Sequence, residues 1–340
     1  MTLRRVVSPG RLLALGLALI GVLAFALWLV PSNSYLLLPD RAKPLAERVR
    51  VAGEKPLDGS GGIYYVDVVV RKASLLEERV SRLRPEGADL VPEHALVPPG
   101  TNFGDRRRQN LRQMDRSQEV AAAVALRELG YDIEAEPAGA LVVAVAPDAP
   151  ADGELEPLET IVGVDGSPVQ TPDDLRRLIA EHEIGESVRL RVRSGGATRT
   201  VEVGTVASPV ESGRPIIGVQ VEQSAEIRLP VDVEIDLGGV GGPSAGLAFA
   251  LDIVEELNRD TDRGYDVAAT GEIELDGGVL PVGGVKQKTI GARRAGIDVF
   301  LVPAGENAEV ARRNAADVRI IPVDNFQQAL RKLRTLPKKP

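Results

Sequence analysis

The chain of 340 residues has no cysteine, only two histidines, and few aromatic residues (3%). Without cysteine it can form no disulfide and do no thiol chemistry. The histidines, His94 and His182, are too isolated to form the ligand pattern of a zinc site, so we expect no metal and no other cofactor. The net charge of −8 argues against a general affinity for nucleic acid. The sequence also has no Gly-Lys dipeptide, which excludes the phosphate-binding loop G-x-x-x-x-G-K-[ST] from it.

A long apolar run lies near the N-terminus. Residues 11–30 carry no charge after Arg11 and are long enough to cross a bilayer as one helix. Arginines precede the run, so the positive-inside rule predicts residues 1–10 as a cytoplasmic tail. A cleaved signal peptide is the competing interpretation, but the Ala-Phe-Ala at 24–26 that resembles a cleavage site lies inside the apolar run. We favour a single-pass anchor in the cell membrane, contacting lipid through residues 11–30, with the rest of the chain outside.

Residues 45–120 form a segment in which the patterns are mixed. Alternating and β-branched residues predict a strand over 63–70, and a charged helix follows over 75–83. A polar helix then leads into residues 120–129. No pattern in this segment indicates catalysis, and we predict an α/β segment that packs against the domains that follow.

Residues 121–206 alternate short apolar strands with one well-marked helix. Strands are predicted at 141–146, 160–164, 188–192 and 199–203. The helix begins with Thr171 as N-cap, Pro172 at its first position and Asp174 at the capping-box position.

This order resembles a bacterial PDZ domain, although the usual Pro-Gly-Asp turn is Pro157-Leu-Glu159 here. PDZ domains bind an extended peptide as an added strand and hold its terminal carboxylate in backbone N–H groups. By this resemblance the carboxylate loop is Leu129-Gly130-Tyr131 and the pairing strand runs from Tyr131 to about Glu136. The alternative is that the domain only packs on its neighbour.

A serine lies on a glycine-rich turn in the C-terminal part. A half-buried strand is predicted over 231–236, and a loop follows that ends in Gly242-Pro243-Ser244. A helix is predicted from 245 to 257, which places Ser244 beside unpaired N–H groups at the positive end of the helix dipole. Serine is also a favoured helix N-cap, so the structural alternative stands beside the catalytic one.

Neither histidine is a clear candidate for the base that would activate this serine. Gly-Pro-Ser-Ala-Gly at 242–246 matches the nucleophile elbow of α/β-hydrolases, but those enzymes need a histidine after the serine. Both histidines precede Ser244, and neither lies in a recognisable catalytic segment of a trypsin-like enzyme. A lysine with a lowered pKa is the other option, and Lys286 and Lys288 lie in a helix predicted to end at Gly296. By composition alone each is a solvated helix residue.

Three motifs then match one family in order and spacing. They are Gly242-Pro-Ser-Ala-Gly246, Thr270-Gly-Glu-Ile273 and Leu280-Pro-Val-Gly-Gly-Val-Lys-Gln-Lys288, with 44 positions between the serine and the second lysine. They resemble the proteolytic domain of Lon proteases, which use a Ser–Lys dyad.

The resemblance implies Ser244 as nucleophile and Lys288 as general base. It makes Thr270 a supporting residue, with Gly242 and Pro243, and Lys286 a helix neighbour. Many Lon proteases have an acidic residue three before the serine, and the chain has Gly241 there.

The combined order resembles the membrane-anchored PDZ-containing Lon-like proteases of bacteria. It implies an α+β protein with an N-terminal transmembrane helix, a PDZ domain at 121–206 and a Lon proteolytic domain at 207–337, with a fold like the second domain of ribosomal protein S5. The expected function is an ATP-independent serine endopeptidase acting on unfolded or flexible proteins, with their C-termini as the handle for the PDZ domain and homo-oligomers left open. The alternatives are a tethered peptide-binding adaptor with an inactive Lon-like scaffold, and a trypsin-like PDZ protease, which would require a histidine.

Overall fold

The computed structural model describes residues 9–52, 61–96, 103–194, 196–208, 213–258 and 260–339. The helices in this part of the chain are α1 (Pro9–Leu29), α2 (Leu75–Arg79), α3 (Glu93–Leu96), α4 (Phe103–Glu128), α5 (Pro172–Ala180), α6 (Gly246–Asn258), α7 (Val285–Ala295), α8 (Glu306–Asn314) and α9 (Phe326–Arg334). The strands are β1 (Pro31–Pro39), β2 (Lys43–Pro44), β3 (Val49–Val51), β4 (Gly62–Tyr65), β5 (Val68–Ser74), β6 (Asp89–Pro92), β7 (Glu134–Val145), β8 (Thr160–Val164), β9 (Ser167–Pro168), β10 (Ser187–Ser194), β11 (Ala197–Gly204), β12 (Val206–Ala207), β13 (Pro215–Ile216), β14 (Val219–Arg228), β15 (Val233–Ile235), β16 (Asp266–Ala269), β17 (Glu272–Ile273), β18 (Val279–Leu280), β19 (Val299–Pro303) and β20 (Arg319–Val323).

The apolar run forms helix α1, and almost none of it packs against protein. The window Leu12–Leu29 has a mean hydropathy of 2.6 and is 0% buried. Length and composition suit a membrane anchor and a signal sequence equally. Strand β1 follows after a single residue and pairs with β5 and β6. The Leu75 N–H of α2 donates to the Val30 carbonyl at 2.9 Å, so a small sheet and α2 lie directly at the base of α1.

The single strand predicted over 63–70 is wrong, because the chain changes sheets there. β4 lies parallel to β16, whereas β5 lies antiparallel to β1. Val66 and Asp67 form the crossing between the two sheets.

The predicted segment 45–120 and the C-terminal part share one hydrophobic core. β4 joins the sheet of order β2-β4-β16-β19-β20, whose strands β4, β16, β19 and β20 are parallel. Helix α4 packs along α6, and Met114 and Val124 lie in the same core as Leu247 and Leu301. We call residues 31–128 and 229–337 together the host domain.

Residues 134–228, which we call the inserted domain, interrupt the host domain. Their sheet has the order β11-β10-β8-β7-β14, with β14 at one edge, and their core is separate from that of the host domain. β14 pairs with β7 along its whole length, from Val219↔Val145 to Arg228↔Glu134. The sheet of the inserted domain thus includes a strand that comes after the boundary expected between residues 206 and 207.

The predicted helix start at Thr171 and helix end at Gly296 are both confirmed, whereas one predicted strand is divided. The capping box of α5 is present, since Thr171 Oγ1 accepts from the Asp174 N–H and Asp174 accepts from the Thr171 N–H. Helix α7 ends at Gly296 in the left-handed region, as its glycine signal predicts. The strand predicted over 267–275 is instead divided into β16 and the short β17, which pairs with β18.

Candidate active site

The serine loop is residues 237–245, and its shape depends on glycine. After β15, Gly238 and Gly242 adopt φ values of 63° and 94°, a region that costs glycine little. Pro243 begins a 3₁₀ turn over Pro243–Ala245, and α6 starts at Gly246. Gly242 is the N-cap residue of this turn, and the turn has no capping hydrogen bond from a side chain. Ser244 is therefore not used as the N-cap, and its hydroxyl faces a lysine.

Lys288 lies in the first turns of α7 and is 3% exposed. Its Nζ is 2.7 Å from Ser244 Oγ and 3.0 Å from Thr270 Oγ1. Burial lowers the pKa of Lys288 from 10.5 to about 7, because an ammonium loses its hydration there. Near neutral pH the amine is thus available in its neutral form, which can accept a proton from the serine.

Thr270 follows β16 and forms hydrogen bonds with both Ser244 and Lys288. Its hydroxyl donates to the Ser244 carbonyl at 3.0 Å and accepts from Lys288 Nζ. Because that hydroxyl proton is committed to the carbonyl, the threonine offers the lysine a lone pair, and the lysine's own lone pair is left for Ser244 Oγ. The Gly271 N–H also donates to the Ser244 carbonyl, at 2.9 Å.

Lys286 lies two residues before Lys288 but points elsewhere. Its Nζ forms an ion pair with Asp89 Oδ1 at 2.6 Å, and Gln287 Nε2 donates to the same carboxylate. His182 also lies apart, with its ring nitrogens 3.1 Å from the Leu178 carbonyl and 3.0 Å from Asp165 Oδ2 in the inserted domain. Of the two candidate lysines, both of which the structure describes, only Lys288 contacts the Ser244 hydroxyl.

The comparison with family models matches residues 218–335 to the Lon protease (S16) C-terminal proteolytic domain. This region is therefore similar to the Lon proteolytic family. A second model, the PDZ domain, matches residues 127–205. Together with α1, these matches confirm the predicted mixed fold of apolar helix, PDZ domain and Lon-type domain.

Curated relatives are Lon proteases that extend well beyond the matched region. The chain is 38% identical over 126 residues to Lon protease 1 of Sorangium cellulosum, covering 34% of this chain and 15% of that protein. It is 35% identical over 158 residues to the Lon protease of Phenylobacterium zucineum, covering 46% and 17%. Among solved structures, the PDZ domain of an SdrC-like protein from Listeria monocytogenes is 22% identical, with a TM-score of 0.23, covering 25% of this chain and 87% of that one.

The Lon-type site also contains a carboxylate that the sequence did not indicate. Asp67, at the end of β4, lies beside the end of β16 that carries Thr270, because the two strands are parallel. Its negative charge raises the pKa of Lys288 and so works against the effect of burial. Lys43 Nζ lies 3.1 Å from Asp67 Oδ2, and Oδ1 is buried with no hydrogen-bond partner among the described residues. The only available signal was an aspartate interrupting a β-branched run.

Helix α4 is the second element whose contribution the sequence did not reveal. The Gly242 N–H donates to the Asn110 carbonyl at 2.7 Å, and Ser117 Oγ donates to the Pro243 carbonyl at 3.0 Å. The helix belongs to the segment in which no pattern indicates catalysis. Its contacts become visible only when the host domain is assembled.

The PDZ residues predicted from the sequence lie away from an open sheet edge. Leu129, Gly130 and Tyr131 close the C-terminus of α4: the Tyr131 N–H donates to the Leu126 carbonyl at 3.0 Å, and Gly130 has φ 88°. The predicted pairing strand, as β7, is already paired with β14.

A cavity of about 320 Å³ lies instead between α5 and residues 214–221. Leu175 and Ile179 of α5, with Ile216, Val219 and Val221, provide its apolar wall. Arg176 and Arg214 supply positive charge. The cavity follows β14, the edge strand of the inserted sheet, which is the place where an added peptide strand can pair.

Proposed function

We propose that the chain is a membrane-anchored serine endopeptidase that works by a Ser–Lys dyad without ATP. The observation that carries the proposal is the 2.7 Å contact between Lys288 Nζ and Ser244 Oγ, in a site where burial lowers the lysine pKa to about 7. An inactive scaffold has no need of a buried lysine beside a serine hydroxyl, since such burial is unfavourable for folding. The adaptor alternative is therefore less well supported.

The reaction follows from these positions. Neutral Lys288 accepts the proton of Ser244 as Oγ attacks the peptide carbonyl, and backbone N–H groups of the 3₁₀ turn stabilise the oxyanion. The Lys288 ammonium then returns the proton to the leaving amine. Lys288 next deprotonates a water molecule, which hydrolyses the acyl-enzyme. The Gly242 N–H already donates to Asn110, so we assign the oxyanion to the N–H groups after it.

Substrates are expected to be unfolded or flexible protein segments. The sequence has no phosphate-binding loop with which a motor could unfold stable proteins. We place the anchor in the cell membrane with the dyad outside, following the basic residues before α1. The direct test is cleavage of an unfolded protein by the full-length protein in detergent micelles, with and without ATP. A rate that depends on ATP, or that survives Ser244→Ala, would contradict the proposal.

The pH profile of cleavage should reveal the lysine. Because the base must be neutral, we expect kcat/KM to rise with pH through a midpoint near 7. Asp67→Asn removes a negative charge that favours the ammonium, so the midpoint should move to lower pH. Asp89→Asn is the matched control, because Asp89 pairs with Lys286 and not with Lys288, and it should leave the midpoint of the pH profile unchanged. An Asp67→Asn midpoint that stays in place or moves upward would contradict this electrostatic role.

The PDZ groove should recognise the C-termini of substrates through the cavity beside β14. Ile216→Asp places a negative charge where the peptide carboxylate is expected, so binding of a labelled peptide should weaken by ~10-fold or more. Amidating the peptide should weaken binding to the parent protein similarly. Tyr131→Ala is the control and should bind like the parent in a fluorescence polarisation assay. Weaker binding by Tyr131→Ala together with unchanged binding by Ile216→Asp would instead support a carboxylate site at Leu129–Tyr131.

A further inference from the structure

Helix α4 holds the serine loop by contacts on both sides of one peptide unit. The Gly242 N–H donates to the Asn110 carbonyl at 2.7 Å, and the Pro243 carbonyl accepts from Ser117 Oγ at 3.0 Å. The same Pro243 carbonyl accepts the Gly246 N–H at the start of α6. The residue just before Ser244 is thus fixed from a helix that lies more than 100 positions earlier in the chain.

The approach of α4 explains why position 241 is glycine. A Cβ on Gly241 would lie 2.9 Å from Asn110 Cβ and 3.1 Å from the Asn110 carbonyl carbon, distances that side chains do not adopt without movement. The backbone of α4 therefore occupies the space that an acidic residue would need.

Ser117 of α4 lies against Gly246, the first residue of α6. It is 5% exposed, and a Cβ on Gly246 would lie 2.7 Å from its hydroxyl. A serine fits there because it is small, and its buried hydroxyl is satisfied by the Pro243 carbonyl. Packing and hydrogen bonding thus both depend on this one residue.

We propose that Ser117 is a positioning residue for Ser244 and that α4, packed on Gly241, supports the serine loop. The proposal rests on the proposed peptidase function. Lys288 comes from α7, so the distance between Nζ and Oγ depends on where the loop is held. A displacement of ~1 Å at such a contact can lower a rate by ~100-fold. Ser117 acts on the loop and does not touch the substrate.

The test uses the full-length protein in detergent micelles with a fluorogenic peptide. Ser117→Ala should lower kcat by ~10-fold to ~100-fold with KM within twofold, because the loop is displaced but the substrate contacts remain. Gly241→Ala should do the same. Gly239→Ala is the matched control two positions away, since among the described residues its Cβ would meet only the end of the Arg107 side chain, at 3.1 Å, and it should stay within twofold of the parent. A folded Ser117→Ala variant with the parent's kcat overturns the proposal, as does an equal loss in both glycine variants.

Hydrogen–deuterium exchange of the serine loop separates this proposal from the function on which it rests. Exchange of loop peptides, including the Gly242 N–H, should become ~10-fold faster in Ser117→Ala and remain unchanged in Gly239→Ala. If the parent protein cleaves nothing, the proposed function fails, whereas the loop measurement still decides whether α4 holds the loop. Unchanged exchange in Ser117→Ala overturns the positioning role whether or not cleavage is seen.

Discussion

Lys288→Arg is expected to lower peptide cleavage by ~1,000-fold or more. The guanidinium stays protonated at any accessible pH and cannot accept the proton of Ser244. Ser244→Ala removes the nucleophile and should have an equal effect. Since each dyad member is useless without the other, the double variant should lose hardly more than either single one. Steady-state cleavage of a fluorogenic peptide by the full-length variants measures this.

Lys286→Arg provides the matched control on the same helix. Its side chain pairs with Asp89, and arginine can keep that ion pair, so the rate should remain within twofold of the parent. A folded Lys288→Arg variant with near-normal cleavage would show that this lysine is not the base. Equal losses in the two arginine variants would indicate a general effect of altering α7.

Lys288→Met is expected to inactivate the protein and to stabilise it at the same time. With a pKa of about 7 folded against 10.5 as its ordinary value, the lysine costs ~5 kcal/mol of folding free energy at pH values below 7. Methionine removes this cost and also the contacts with Ser244 and Thr270, which contribute ~1 kcal/mol each. The net gain at pH 6 should be ~3 kcal/mol.

The pH dependence of this gain follows from the direction of the pKa shift. Between pH 7 and 10.5 the unfolded chain binds the proton that folded Lys288 has released, so the stability of the parent rises with pH in that window. The advantage of Lys288→Met should therefore be largest below pH 7 and fade towards pH 10.5. Urea denaturation at pH 6 and pH 10 measures both ends, with Lys286→Met, at the half-buried lysine on the same helix, as the control. A Lys288→Met variant that is less stable than the parent at pH 6 would contradict the account.

Several features could be predicted from the sequence because they depend on neighbouring residues. The charge-free run made α1 evident, and the capping pattern at Thr171 placed the start of α5 at the observed residue. The three motifs of the Lon proteolytic domain identified the residues that the structure brings together, Ser244, Thr270 and Lys288. Their catalytic roles are proposals that the variants above test.

Other features could not be predicted because they depend on distant segments. The run at 63–70 reads as one strand, and only the assembled sheets show that β4 and β5 separate at Asp67. The sequence predicts a carboxylate loop at Leu129–Tyr131, and only the order of the sheet shows that β14, which comes after the rest of the inserted domain, forms one of its edges.

The sequence by itself determined which residue types are available for chemistry: no thiol, no histidine near the serine, and a serine and a lysine in motif positions. The tertiary structure alone decided what those residues can do. A lysine on a helix is ordinarily a solvated cation, but burial in the host domain lowers the pKa of Lys288 to about 7, even though the charge of Asp67 raises it. A glycine-rich loop is ordinarily mobile, and α4 holds it because a helix from an earlier segment packs where residue 241 has no side chain. Desolvation and close packing depend on segments far apart in the chain, so no local pattern can specify them.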